Sequence, residues 1–145
     1  MSIIIHELDN GWGNVILFEG EVTSEEYDMA LTEHLSKSEE VLKKYYYSII
    51  DGTQVTKISI ELKYIKKVAL KCLEITKINP DVIVVIATNN AIAFNLARVW
   101  SFFTSDSSWN IQVFRNRDEL DKWLLMKMKD RYDMSDLQLD HYPTT

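Results

Sequence analysis

Val82–Ala87 reads VIVVIA, an unbroken apolar run with the turn residues Asn79-Pro80 before it and Asn89-Asn90 after it. A half-exposed strand alternates apolar and polar residues, so a run with no polar position suits a strand covered on both faces. Such strands belong to parallel sheets, in which helices pack on the faces and connect one strand to the next. This run is therefore expected to be the central strand, with the remainder of the chain arranged around it.

The pattern on either side agrees. Ser2–Leu8 and Asn14–Glu19 predict two strands joined by the turn Asn10-Gly11-Trp12-Gly13, where Asn and Gly accept positive φ at low cost. Thr23-Ser24-Glu25-Glu26 is a helix start, with a hydroxyl cap followed by acids at the positive end of the dipole. That helix extends to about Leu35, with a second helical piece within Ser36–Lys44. Tyr45–Asp51 predicts a third strand and 52–58 a polar loop. Ser59 is expected to cap a helix reaching about Lys77, since Ile65, Val68, Ala69, Cys72, Leu73 and Thr76 recur at helical spacing. Asn90 caps a helix to about Phe103, Asn110–Phe114 is a fifth strand, and Asn116 caps a helix from Arg117 to about Lys129. The expected fold is α/β, a mixed five-stranded sheet in which an N-terminal β-hairpin precedes βαβ crossovers, with about four helices. Residues 1–130 form one domain in this reading, and 131–145 an acidic, loosely held tail.

Composition restricts the function. The net charge of −6 disfavours a nucleic-acid partner, which requires a basic face to neutralise phosphate. The charge is uneven: residues 46–80 hold 6 bases and 3 acids, whereas residues 1–45 hold 3 bases and 10 acids. The single cysteine, Cys72, excludes an internal disulfide and a multi-cysteine zinc site, and it falls on an apolar helix stripe where a thiol is buried and inert. No apolar stretch nears the ~20 residues of a membrane span. The start MSIIIHELDN has no basic segment before its short apolar run, so a cytoplasmic protein with no signal peptide is expected.

Residues with chemistry are scattered. His6, His34 and His141 form no metal or nucleophile–base spacing, so no metal, cofactor or catalytic residue is expected. Gly11 and Gly13 lie between two strands rather than before a helix, which rules out a phosphate loop there. Asp51, ending a strand, bonds the following turn or acts in catalysis. Ser105-Asp106-Ser107-Ser108 is polar loop chemistry. Two surfaces remain. Lys63, Lys67 and Lys71, with Lys66 beside them, share one helix face, either as a solvated stripe or as a contact. The helix from Asn90 carries Ile92, Phe94, Leu96, Val99, Trp100, Phe102 and Phe103, more apolar residues than one stripe holds, so the tail, a second subunit or an apolar ligand should cover the excess. Arg98 on that helix either holds an acidic ligand or pairs with a carboxylate such as Asp51.

The element order, with Asp51 ending the third strand and a segment leading into a long helix, resembles the STAS domain, the fold of the anti-sigma-factor antagonists. The loop of that family runs Asp-x-Ser-x-Val, then two residues, an apolar residue and Asp-Ser-Ser-Gly. Asp51, Val55 and Ile58 fit this pattern, whereas Ser59 stands at the Asp, Ile60 at the phosphorylated Ser and Leu62 at the Gly. Phe94-Asn95-Leu96-Ala97-Arg98-Val99-Trp100, then Trp109, Val113-Phe114-Arg115 and Asp118-Glu119-Leu120-Asp121-Lys122-Trp123-Leu124, is similar to a poorly characterised group of STAS-like bacterial proteins, the likeness spanning roughly residues 10–125.

That resemblance implies a non-enzymatic regulatory or protein-interaction module without the serine phospho-switch. A protein partner would meet Thr53, Gln54, Thr56, Lys57, Ser59, Lys63, Lys66 and Lys67. Ser59 is either a helix cap or a substitute phosphoacceptor. Phe94, Arg98, Trp100, Phe102 and Phe103 would form a homodimer or ligand surface. The alternative is a lipid or small apolar ligand protein, since the fold of CRAL-TRIO domains is similar; an apolar cavity would favour that reading.

Overall fold

The computed structural model describes residues 2–139. The strands are β1 (Ile3–Leu8), β2 (Gly13–Thr23), β3 (Tyr47–Ser59), β4 (Ile83–Ala87) and β5 (Asn110–Phe114). The helices are α1 (Ser24–Leu35), α2 (Glu39–Lys44), α3 (Leu62–Ile75), α4 (Ala91–Phe103) and α5 (Arg117–Tyr132), and a 3-10 turn, Asp9–Gly11, joins β1 to β2. The sheet order is β1-β2-β3-β4-β5, with β1 antiparallel to β2 and every later pair parallel. This is the mixed five-stranded sheet expected from the sequence.

β4 is interior, between β3 and β5, and all of its residues are buried. Val84 and Ile86 point to one face, where they meet Ile65, Val68, Ala69 and Cys72 of α3 together with residues of α1 and α4. Ile83, Val85 and Ala87 point to the other face, beneath Leu120, Leu124 and Met128 of α5. A strand between two helical layers has no reason to alternate, which is why the run reads VIVVIA. α2 packs separately, with Leu42 against Tyr45 and Ile75.

Three expectations are corrected. The first concerns 52–58, which is strand rather than loop. β3 continues to Ser59 because β2 continues to Thr23: after a register irregularity between Leu17 and Glu19 the two pair again from Glu19↔Gln54 to Thr23↔Ser59, with a second irregularity between Gly20 and Glu21. β4 leaves β3 at Asp51↔Ala87, so β3 beyond Asp51 pairs with β2 alone. The second is that Ser59 does not cap α3. The cap position is Glu61, without a side-chain cap bond. Ser24 supplies the missing acceptor from across the fold: its hydroxyl accepts from the Glu61 N–H at 2.9 Å and donates to the Ser59 carbonyl at 3.3 Å.

The third correction concerns the tail, which is packed over its described length. Asp133 ends α5 in the left-handed region, and the chain turns back so that Leu137 and Leu139 join the α5 side of the core. The Gln138 N–H donates to Asp9 Oδ1 at 2.9 Å. Tyr142 and His141 lie outside the described residues. Gly13 opens β2 where the Tyr47 ring lies so close that an added Cβ would sit 2.0 Å from it. The Tyr47 hydroxyl in turn donates to the Asp9 carboxylate, fixing the start of β3 against the 3-10 turn.

The hydroxyl that serves α3 therefore belongs to Ser24, not Ser59. Ser24→Ala is expected to cost about 1 kcal/mol, the ordinary net worth of a hydrogen bond. Ser59→Ala, on an exposed side chain, should stay within about 0.5 kcal/mol of wild type. Urea unfolding of the two variants measures the difference, and equal losses would put the cap back on Ser59.

Candidate functional site

Every parallel strand ends at the same edge of the sheet, so the residues after β3, β4 and β5 converge there. Asp51 is buried at the point where β4 stops. Its Oδ1 accepts from the Thr53 N–H at 2.9 Å and the Thr53 hydroxyl at 2.6 Å. Its Oδ2 accepts from Arg117 Nη1 at 2.8 Å. Arg117 also reaches Asp121 one turn along α5 and donates to the Leu139 carbonyl at 3.1 Å. One guanidinium thus joins the end of β3, the start of α5 and the returning tail. The sequence reading considered Arg98 as a partner for Asp51; Arg117 takes that place, and Arg98 is exposed on α4.

Beside this pair the edge is closed by packing. Thr88 is buried and donates to the Gly52 carbonyl at 3.0 Å. A Cβ on Gly52 would approach the Thr88 Cβ to 3.2 Å, so this close approach favours glycine. Asn90 accepts from the Ala93 N–H at 3.0 Å and caps α4 as expected. The Arg115 guanidinium lies 4.1 Å from the centre of the Phe94 ring. Among the described residues no group of His, Cys, Asp or Glu is placed to hold a metal ion.

The residues expected to meet a partner lie on a strand and a helix rather than on a loop. Gln54, Thr56, Lys57 and Ser59 are exposed along β3, while Val55, Ile58 and Ile60 point into the core. Lys63 and Lys66 are exposed on α3. Lys67 is engaged, bonding Asp28 of α1 at 2.8 Å as a strut between two helices. Lys57 and Lys63 stand 3.9 Å from Glu21 and 3.5 Å from Glu61, exposed pairs of the kind that contribute little.

The α4 residues do not form one surface. Trp100 is buried beside Cys72, whose thiol burial pushes up to about 12 against a smaller opposing effect of a hydrogen bond from Trp100. Phe94 is covered by Arg115, and Phe103 packs on the core. Phe102 is 74% exposed, and Ile92 is exposed ten residues away, about 15 Å along the axis. The rest of the apolar excess of this helix packs against α3, β3 and β5, while the described part of the tail lies on the opposite face. Among the described residues, no helix is long and apolar enough to cross a membrane.

Two concavities remain. A groove of about 650 Å³ runs between the 3-10 turn and residues 133–138; of its four acids, Glu7 bonds Lys37 and Tyr45 and Asp9 bonds Tyr47 and Gln138, while Asp133 and Asp136 are exposed at its rim. The other is an apolar cavity of about 120 Å³ between the sheet and α1, α3 and α4. This is well short of the several hundred Å³ that enclose a drug-sized molecule, so a lipid chain would not fit without expansion. His34 lines it. Burial, then the charge of Lys37, lowers this imidazole from 6.5 to about 4, with Glu7 opposing. Sequence reasoning passed over His34 because it has no neighbours in sequence that suggest chemistry; its position on the inner side of α1 was the available signal.

Two measurements follow from this geometry. Arg117→Ala leaves the Asp51 carboxylate buried without its cation and should cost about 3 kcal/mol in urea unfolding; a loss below 1 kcal/mol would mean that the pair is not a structural tie. For His34, the unfolded chain binds a proton below pH 6.5 while the folded chain does not until about 4, so stability is full above 6.5 and falls as pH drops through that window. The loss should approach about 3 kcal/mol at pH 4, and His34→Leu should lack this component.

Comparison with family models, with curated proteins and with solved structures finds no match to this chain.

Proposed function

We propose that the chain is a non-enzymatic protein-interaction module of STAS type, which holds an extended segment of a protein partner along the outer part of β3. One observation carries this reading: β4 stops at Asp51, and from Gln54 to Ser59 the strand pairs with β2 alone, with a bulge at Thr56. A strand with one open edge offers a row of backbone donors and acceptors to an added strand. The side chains beside that edge, Gln54, Thr56 and Lys57, with Lys63 and Lys66 on the next helix, are exposed and carry an excess of positive charge in an otherwise acidic protein. Charge of that sign favours an acidic partner segment and speeds its encounter.

The regulatory serine of the resembling family has no counterpart. Ile60 occupies its position, has no hydroxyl and is buried in the core beneath α1 and α3. In this reading association is set by the partner's concentration and charge rather than by a phosphate at that position. At the sheet edge the buried Asp51 carboxylate is held by the Arg117 guanidinium and by the Thr53 N–H and hydroxyl, an ion-paired strand end that closes the turn.

A photo-crosslinking amino acid placed at Thr56, in the cell that makes the protein, tests the reading. A discrete adduct is expected at Thr56 and none from the same probe at Lys129, exposed on α5 across the sheet. Thr56→Pro elsewhere in a Gln54-probe protein should suppress the adduct, because proline cannot donate to an added strand. Equal labelling at Thr56 and Lys129, or no adduct at either, would overturn it.

A further inference from the structure

His34 has an atom with nothing to bond. The residue is 6% exposed, in the last turn of α1, and its Nδ1 has no hydrogen-bond partner among the described residues. It lines the apolar cavity of about 120 Å³, whose walls include Leu31, Leu42, Tyr45, Ile75 and Trp109. The other polar groups of those walls are engaged. The Ser48 hydroxyl donates to Asn14 at 2.7 Å, the Thr88 hydroxyl to Gly52 at 3.0 Å and the Tyr45 hydroxyl to Glu7 at 2.6 Å. Buried polar groups are nearly always satisfied, and an exception calls for an occupant. A water is a poor one: it needs two to four polar partners, and Nδ1 offers one.

We propose that this cavity is a binding site for a small, mainly apolar molecule bearing one hydroxyl, of about phenol's size, with the hydroxyl bonded to His34 Nδ1. Size sets the upper limit. An apolar cavity of about 150 Å³ takes up benzene with room to spare, and at the interior packing density of about 0.75 the 120 Å³ here holds about 90 Å³ of molecular volume, that of one six-membered ring with a single small substituent. The walls set the apolar body, because aliphatic and aromatic side chains reward hydrocarbon and penalise unpaired polar groups. The imidazole sets the hydroxyl. The ring is neutral at physiological pH, so one nitrogen donates and the other accepts, and a hydroxyl can serve either role. A carboxylate is disfavoured, since the anion would be desolvated against apolar walls and the nearby Lys37 is already paired with Glu7. This site is separate from the outer part of β3 and does not depend on the partner reading.

Titration of the full chain with phenol and with benzene, followed by two-dimensional amide NMR, tests the assignment. Phenol should bind at least ten-fold more tightly than benzene, with shifts centred on the amides of His34, Leu42 and Ile75. His34→Leu should bring phenol to the benzene level while benzene affinity stays within about two-fold. Should that variant fail to fold, the imidazole nitrogen resonances of wild-type His34 decide, since phenol should move Nδ1 and benzene should not. Phenol and benzene binding alike to wild type, neither binding at millimolar concentration, shifts mapping elsewhere, or an unmoved Nδ1 would overturn the proposal.

Discussion

Each parallel crossover in this chain steps the same way along the sheet, from β2 to β3 to β4 to β5. Crossovers of one hand that always advance in one direction must place their helices on one face. α1, α3 and α4 obey this and share a single core cluster with Val84 and Ile86. The opposite face would then be bare, and it holds Val15, Tyr47, Ile49, Ile83 and Val85. α5 and the returning tail exist to cover it. Arg117 acquires its importance here, because it ties that cover to the end of β3 through Asp51 and to the tail through the Leu139 carbonyl. Cutting this tie exposes the face that the topology cannot otherwise protect.

The parts of the fold that were legible in the sequence are those in which one local rule acted alone. VIVVIA announced an interior strand, and Ile65, Val68, Ala69 and Cys72 announced a helix, because burial on two faces and burial on one stripe leave different spacings. β3 was legible only as far as Asp51. Beyond it the buried positions are Gly52, Val55 and Ile58, three apart rather than two. The register irregularities between β2 and β3 displace the pattern, so the segment reads as polar loop although all of Gln54–Ser59 but Thr56 is paired with β2. Ser59, a good capping residue just before a helical pattern, completed the misreading, while the capping hydroxyl arrived from Ser24, 37 residues away from Glu61.

The same distinction separates the site residues. Asp51 was visible as a strand-ending carboxylate that bonds the next turn, and the Thr53 contacts agree. Its cation was not, because Arg98 and Arg117 both follow strands that end at this edge, and only the positions of α4 and α5 on opposite faces decide between them. From the sequence, α4 carries more apolar residues than one stripe holds. It is apolar because it fills the angle between α3, β3 and β5, and Trp100 is in the core. Counting apolar residues on a helix overstates its exposed surface wherever the helix contacts more than one element.

Strand order also limits where this protein can bind anything. In open parallel sheets the crevice for a ligand forms where strand order reverses and neighbouring helices diverge to opposite faces. Here the parallel strands run β2-β3-β4-β5 without reversal, and the edge is sealed by Asp51 with Arg117 and by Thr88 against Gly52. The two proposed sites lie elsewhere, each at an imperfection of regular structure. β3 outruns β4 and leaves one edge of Thr53–Ser59 without a strand. Three helices packed on one twisted face leave a cavity, into whose lining α1 brings His34. The first is open to macromolecules and closed to small apolar ones, and the second is the reverse. A ligand held at His34 would lie beneath α1 and α3, the helices whose starts meet at Ser24 and Glu61 next to the end of β3. α1 and α3 are held together there by the Ser24 hydroxyl and further along by the Lys67–Asp28 pair, so both places share the same two helices.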